Sequence, residues 1–493
     1  MKFRGRTVVA FVLLGMFASS ILTLTIAIPS VGDVVVPDAT PAHAVPHHPD
    51  GISDSALNKL STIYDLIMKN YLGDVDSEEL IDGAIQGMLG VLNDPYSTYM
   101  DAEQARQFNE TITSSFQGIG AEVTMKNGCI TIVSPMKGSP AEKAGIRPND
   151  VIVSVNGESL EGTNLTEAIM KIRGPKGSQA KLGILREGAI EPIEVIVVRD
   201  EIPVETVFSR MLDDRIGLIE IRQFATNTGE HFKEHLADLQ KQGMQALIID
   251  VRNNPGGLLP VVVDIAELFV KQGEPIVQIE DRNGVKTVTV SENEQEPLDI
   301  PVAMLINGGS ASASEILAGV IREVAGGILV GETTFGKGTV QVTYEQELGD
   351  GSNIKLTTYK WLTPKGNWIH ERGIDPDIPV QLPEYFKVSP FSKQSVLKPD
   401  TNGEEVRTLQ TMLVALGYNP GRNDGDYSVE TAEAVKQYQK ASGLAVTGEA
   451  DKETQEKLEQ DVTAKLTDPL NDSQLQEAYQ VLKKELTKAN RND

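Results

Sequence analysis

Hydrophobic positions change their period several times along this chain, and the changes mark out its elements. Leu57, Leu60, Tyr64, Ile67 and Tyr71 recur at helical spacing between residues 54 and 72, and residues 77–92 repeat the pattern, which predicts a helical hairpin. Asn93-Asp94-Pro95 ends it, because that run favours a turn and proline blocks continuation of a helix. From 116 to 200 the pattern becomes short apolar runs between turn residues, at 121–125, 130–133, 151–155, 181–186 and 193–198. With one helix over 165–172, these predict a small strand-rich unit. After Arg215, apolar strands at 217–221, 246–251 and 302–306 alternate with helical patterns at 231–242 and 314–324, which predicts an α/β core. Beyond Pro383 a linker bearing Ser, Lys and Pro leads to a compact helical stretch over 403–459. A charged tail with one helix over 472–488 closes the chain.

The 493 residues suit three to four domains at roughly 100 to 200 residues each. With 40% hydrophobic and 23% charged residues, the composition is globular and excludes disorder, collagen and a multi-span membrane protein. The formal net charge of -25 repels phosphate backbones, so nucleic acid is not an expected partner. The lone Cys129 forms no intrachain disulfide and leaves the compartment to be read elsewhere. Lys2, Arg4 and Arg6 precede an uncharged apolar run over 8–28. That is the pattern of a signal peptide or a membrane anchor, with the rest of the chain exported. Ala42-His43-Ala44 lies about sixteen residues beyond the run, farther than a cleavage site usually sits, which favours an uncleaved anchor.

Two segments carry candidate chemistry. In Asn307-Gly308-Gly309-Ser310-Ala311-Ser312-Ala313-Ser314-Glu315, small residues crowd a strand-to-helix turn. A serine there is readily exposed, and the helix N-terminus offers N–H groups to a developing oxyanion. Simple helix capping by these serines is the competing explanation, and the residues alone do not choose among Ser310, Ser312 and Ser314. The second segment, Gly331-Glu332-Thr333-Thr334-Phe335-Gly336-Lys337-Gly338-Thr339-Val340-Gln341, nearly spells a phosphate-binding loop. However, Gly338 stands where the magnesium-binding hydroxyl belongs, and a strand pattern follows. A lysine flanked by glycines can instead be desolvated, which lowers its pKa and makes it a general base. If extended, Lys337 and Gln341 would sit about 13 Å apart at roughly 3.3 Å per residue, so the chain must bend near Gly338 or the side chains must lean together. His231 and His235 share a helix face without a third ligand, which suits a solvated pair better than a zinc site.

The serine run, the segment Phe335-Gly336-Lys337-Gly338-Thr339-Val340-Gln341 and the upstream Asp250-Val251-Arg252-Asn253-Asn254-Pro255-Gly256-Gly257 together resemble the C-terminal processing (tail-specific) serine peptidases. Ile354-Lys355-Leu356-Thr357-Thr358 and Gly373-Ile374-Asp375-Pro376-Asp377 extend the resemblance over roughly 55–385. It implies Ser312 as nucleophile, Lys337 as base and Gln341 as the residue orienting the lysine. It also implies an oxyanion hole from Gly256 or Gly257 with the N–H of Ala313, and needs neither metal nor cofactor. Residues 116–200 resemble a PDZ domain, in which Gly118, Ile119, Gly120 and Ala121 would form the carboxylate-binding loop. Arg173, after the helix of that unit, is a candidate sensor carrying tail binding across the domain boundary. Residues 403–459 resemble the helical peptidoglycan-binding module, with Tyr427-Ser428 where an aromatic followed by Gly is usual.

The expected architecture is therefore multidomain α/β and α+β. It divides into a signal peptide or anchor (1–30), a spacer (31–53), an N-terminal helical region (54–110), a PDZ domain (112–200), a peptidase core (201–385), a linker (386–402), an all-α peptidoglycan-binding-like module (403–460) and the charged tail (461–493). The expected function is an exported, extracytoplasmic serine endopeptidase acting near protein C-termini. Its expected partners are proteins or peptides with free C-termini, peptidoglycan, the membrane through the N-terminal segment, and a second copy through the hairpin. The rival reading is a catalytically silent adaptor that binds protein tails and cell wall.

Overall fold

A computed structural model describes residues 52–492 apart from 127, 187, 188, 190 and 346, together with the strand Thr23–Leu24. Apart from that strand, the expected N-terminal anchor or signal lies outside the described residues. The hairpin forms as helices Asp54–Asn70 and Ser77–Gly90, whose N-termini are capped by Ser53 and Asp76 side chains. Tyr64 Oη and Ser77 Oγ share a hydrogen bond of 2.6 Å across it. The chain then enters the body through the strand Thr98–Met100 and the helix Ala102–Thr113.

The PDZ unit sits on a two-stranded stem, Ser115–Gly118 against Asp200–Pro203, so its entry and exit chains are hydrogen-bonded to one another. Its sheet runs Ala121–Lys126, Cys129–Pro135, Val151–Val155, Gln179–Leu185 and Ile193–Val198 in spatial order. The helix Leu165–Ile172 packs Ala168 and Ile172 into its core.

The peptidase core is built on a sheet ordered Val207–Met211, Ile216–Ile221, Ala246–Asp250, Val302–Ile306, Ile328–Gly331 and Ile378–Pro379, parallel except for its first pair. Side chains alternate between its faces. Ile219, Leu247, Ile249, Met304 and Leu329 pack with the residues of helices Thr228–Lys241, Leu259–Ala266 and Ala313–Glu323. Leu218, Ile248, Leu305 and Val330 pack with Leu475, Ala478 and Leu482 of the last helix, Ser473–Asn492. A second sheet holds Lys286–Val290, Pro275–Glu280, Asn353–Leu362 and Thr339–Tyr344, all antiparallel, with Thr98–Met100 antiparallel on Asn353–Leu362 and Thr23–Leu24 parallel to Thr339–Tyr344.

Two expectations need correction. The segment read as a linker over 386–402 buries Phe391 and Leu397 in the core of the helical module, so its few apolar residues dock although its composition is polar. The segment read as a charged tail over 461–493 is no tail. The helix Lys452–Thr467 runs through its start, and Ser473–Asn492 covers one face of the catalytic sheet. The helical module is therefore an insertion between the peptidase strands and the helix that completes their packing.

Candidate active site

Strand Val302–Ile306 delivers the serine run to the start of helix Ala313–Glu323. The structure separates the three serines that sequence left equivalent. Ser310 Oγ donates to the Val251 carbonyl at 2.8 Å, and Ser314 Oγ donates to the Asn254 carbonyl at 2.9 Å. Ser312 Oγ is buried without a partner. Ser312 also holds φ 58° and ψ -114°, a left-handed conformation that a residue with a Cβ adopts only where its surroundings enforce it.

The enforcing contact comes from Glu315, 0% exposed, to which sequence analysis gave no role. Its carboxylate accepts the Ser312 N–H at 2.8 Å, the Lys337 N–H at 2.9 Å, the Gly336 N–H at 2.7 Å and the Thr334 hydroxyl at 2.6 Å. Ser312 and Lys337, 25 positions apart in sequence, thus meet on one carboxylate oxygen. Burial raises the Glu315 pKa against the pull of these donors.

Lys337 is fully buried, and its Nζ has no hydrogen-bond partner. Burial, joined by the like charge of Lys355, pushes its pKa down to about 7 against the attraction of Glu315 and Asp94. Burial likewise pushes Lys355 down to about 8. Lys337 Nζ lies 5.1 Å from the centre of the Tyr96 ring. Tyr96 belongs to the turn that ends the hairpin, so a segment read only as a helix stop forms one wall of the site. Asp94 is tied into the same wall by Ser97 Oγ at 2.6 Å, and Ser97 Oγ accepts the Thr357 N–H at 3.0 Å.

Lys337 and Gln341 do not lie on one extended strand. The strand carrying Gln341 starts only at Thr339, so Lys337 sits in the turn before it. Gly338 is pressed against His370 and Trp368, where a Cβ would come within 2.9 Å of either. Gln341 is buried as well. Its Nε2 donates to the Thr339 and Thr357 hydroxyls at 3.1 and 3.0 Å, while its Oε1 has no donor.

The loop after Ala246–Asp250 closes over Ser312. Asn254, 0% exposed, organises it: Nδ2 donates to the Ile221 carbonyl at 2.7 Å, and its own carbonyl accepts the Ala311 N–H at 3.0 Å. Gly256 packs so tightly that a Cβ would lie 2.8 Å from Ser312 Cβ and 2.9 Å from Ala313 N. Of the two candidate oxyanion glycines, Gly256 already donates its N–H to Asn254 Oδ1 at 2.8 Å. The N–H groups of Gly257 and Ala313 have no acceptor among the described residues. Arg252, on the same loop, is held by Asp250 and by Asp472 and Gln474 at the start of the last helix, at 2.6 to 3.1 Å.

In the PDZ unit, the carbonyls of Ile119 and Gly120 accept the N–H groups of Ala141 and Met136 at 2.8 and 2.9 Å. Gly118 ends the stem strand, and Ala121 starts the first strand of the PDZ sheet. Gly120 admits no side chain, because a Cβ would sit 2.5 Å from that of Ser139. Arg173 Nη1 pairs with Glu110 at 3.2 Å, and its guanidinium lies 4.8 Å from the Phe116 ring centre. The expected sensor residue thus bridges the PDZ unit to the helix Ala102–Thr113.

A buried lysine, an unpaired serine at a strained turn and free N–H groups beside it are groups that a serine-type peptidase could use, and comparison with known proteins places the chain in that class. Residues 215–380 match the model of peptidase family S41, 131–186 a PDZ domain, 402–458 a peptidoglycan binding domain, and 38–104 the N-terminal domain of the activating protease CtpB. The chain is 47% identical to the carboxy-terminal processing protease CtpB of Bacillus subtilis over 436 residues, 88% of this chain and 90% of that protein. It is 45% identical to CtpA of the same organism over 433 residues, 88% of this chain and 91% of that one. Among solved structures, the photosystem II D1 C-terminal processing protease aligns at 29% identity and a TM-score of 0.39, covering 65% of this chain and 86% of that one. The chain belongs to the carboxy-terminal processing proteases of peptidase family S41.

Proposed function

We propose that this peptidase cleaves exported proteins near their C-termini with a Ser312–Lys337 dyad supported by Gln341. One observation carries the reading. Ser312 Oγ, Lys337 Nζ and Gln341 Oε1 are all buried, all polar and all without partners, an arrangement that costs stability and suits a site awaiting substrate. Neutral Lys337 takes the Ser312 proton as Oγ attacks the scissile carbonyl. The lysine then returns that proton to the leaving amine, and water hydrolyses the acyl-enzyme by the same route. The N–H groups of Gly257 and Ala313 stabilise the oxyanion, and Gly256 supplies the close approach rather than the donor. In the proposed cycle Gln341 Oε1 takes a hydrogen bond from Lys337 Nζ that the structure does not contain, and so aims the lysine.

In this reading the PDZ domain binds the substrate's terminal carboxylate at the 118–121 loop, where the Ile119 and Gly120 N–H groups have no acceptor among the described residues. Arg173 reports occupancy through Glu110. The helical module holds the enzyme to peptidoglycan, the N-terminal apolar run holds it at the membrane, and the hairpin's apolar face joins a second copy. A fluorophosphonate should label Ser312 in the wild-type protein and fail on Ser312→Ala. Cleavage of a peptide with a free apolar C-terminus should exceed that of its amidated twin, and deletion of residues 116–200 should remove the preference. Equal rates for both peptides in the full enzyme would refute tail recognition. Protease shaving of wall-stripped cells should digest the core, and protection equal to that of a cytosolic marker would refute export.

A further inference from the structure

Glu315 has a geometry that helix capping alone does not require. Four donors converge on its two oxygens. Oε1 receives the Thr334 hydroxyl and the Gly336 N–H, and Oε2 receives the N–H groups of Ser312 and Lys337. Four donors match the acceptor sites of an ionised carboxylate, and their pull opposes the burial that raises its pKa. The side chain is 0% exposed, and none of its bonds is to solvent-facing decoration: each ends on the turn of the nucleophile or the turn of the base.

We propose that Glu315 is a positioning residue of this peptidase, holding the Ser312 and Lys337 backbones on a single carboxylate so that the two reacting side chains keep a fixed separation. The inference rests on the Ser312–Lys337 reading and adds to it a residue that touches neither substrate nor reacting atoms. Because the clamp is charged, it also biases the base. The groups facing Lys337 are Glu315 from helix Ala313–Glu323, Asp94 and Tyr96 from the turn after the hairpin, Lys355 from strand Asn353–Leu362, and His370, whose Nδ1 accepts the Gly338 N–H at 3.3 Å. Glu315 and Asp94 favour the protonated lysine, whereas burial and Lys355 favour the neutral one. Removing the Glu315 charge therefore lowers the pH at which the lysine becomes a base.

Two variants of the full chain separate reach from charge. Glu315→Gln keeps the length but, in either amide orientation, sets an NH2 group against at least one N–H donor and removes the charge. kcat should fall roughly 10²-fold through misplacement of the reacting groups, and the midpoint of the kcat/KM profile should move to lower pH. Glu315→Asp keeps the charge but is too short to reach both backbones, so kcat should fall similarly with no acid shift. Wild-type kcat in either variant, or an unmoved midpoint in a folded Glu315→Gln protein, overturns the proposal. If Glu315→Gln fails to fold, Glu315→Asp decides by its kcat alone. Lys337→Ala is measured alongside. Hydrolysis retained there refutes the dyad itself, whereas an inactive Lys337→Ala beside a wild-type Glu315→Gln refutes only the clamp.

Discussion

Two regions of this chain leave groups without the partners their chemistry asks for, and they do so in opposite senses. At the active site, Ser312 Oγ, Lys337 Nζ and Gln341 Oε1 are polar, buried and unpaired. On the N-terminal hairpin, Leu57, Leu60, Leu66, Ile81 and Met88 are apolar and exposed, and neither helix buries a single residue. A buried unpaired polar atom costs roughly 1–3 kcal/mol, and a contiguous apolar patch favours a covering surface. Each region is therefore one that an occupant would stabilise, but the occupants would differ in kind. The polar site has to be vacated after every turnover, so it stays costly by construction. The hairpin can be covered once and remain so. The last helix, Ser473–Asn492, provides the control: it is amphipathic like the hairpin helices, yet Leu475, Ala478 and Leu482 lie at 4% exposure or less on the catalytic sheet.

Lys337→Met should give the largest effect. Losing the base should reduce hydrolysis by roughly 10²–10⁴-fold, with wild-type activity rising with pH through about 7 as Lys337 becomes neutral. The same change should stabilise the fold. The folded pKa lies below that of an unfolded lysine, about 10.4, so folding favours loss of a proton from this side chain. The resulting cost, on the order of a few kcal/mol, is fully present below pH 7 and fades as pH rises towards 10. Calorimetry should find the variant more stable than wild type at pH 7, with the gap narrowing at pH 10. A variant less stable than wild type at pH 7 would mean that the site is not strained in the way the comparison requires.

Leu482→Ala tests the control helix. Truncating a fully buried leucine costs about 2–5 kcal/mol, and the cost should fall on the peptidase core although residue 482 is about a hundred positions beyond the last core strand, Ile378–Pro379. Denaturant unfolding monitored by activity should shift to lower midpoint. An unchanged midpoint would return residues 473–492 to the status of a tail.

That distance explains what sequence could and could not disclose. Alternation and helical spacing are local, so the strands Val151–Val155, Ile193–Val198 and Val302–Ile306 agree residue for residue with expectation. The partner of an amphipathic face is not local. The hairpin and the last helix read alike in sequence, and only the packing shows that one is covered by the sheet. At the site, the roles given to Ser312, Lys337 and Gln341 rest on a resemblance, and the structure adds that Ser310 and Ser314 each donate to a backbone carbonyl whereas Ser312 Oγ has no partner. Glu315 and Asn254 escaped notice because their roles consist of bonds to backbone far away in sequence. A carboxylate at the third position of a helix next to small polar residues signals capping and nothing more. The turn at 93–97 was readable as a helix stop, but nothing in Asp94 or Tyr96 announces a wall beside a lysine.

Gln341→Ala should give a smaller loss than Lys337→Met. The amide touches no substrate in the proposed cycle, and its Nε2 is anchored by the Thr339 and Thr357 hydroxyls, so its removal loosens the lysine without deleting it. A fall in kcat of roughly ten-fold, within the range that misplacement produces, with little change in KM, is the expected result. Loss as complete as in Lys337→Met would assign Gln341 a direct part in proton transfer.

The smallest effect on stability should come from the hairpin, and it is the most informative about that half of the comparison. Leu60 is 53% exposed in the single chain, so Leu60→Asp removes little packing and should change monomer stability by no more than about 0.5 kcal/mol. If a second copy covers that face, the same residue becomes buried in the assembly, and a carboxylate there would have to be desolvated without a partner. Light scattering of the full chain in mild detergent should then report half the wild-type protein mass for Leu60→Asp. Val285→Asp, on the hairpin joining Pro275–Glu280 to Lys286–Val290 and 62% exposed, serves as the matched control and should leave the mass alone. A wild-type protein that is already monomeric would refute the second copy as occupant. A fall in melting temperature for Leu60→Asp without a change in mass would mean instead that the hairpin packs against the body of its own chain.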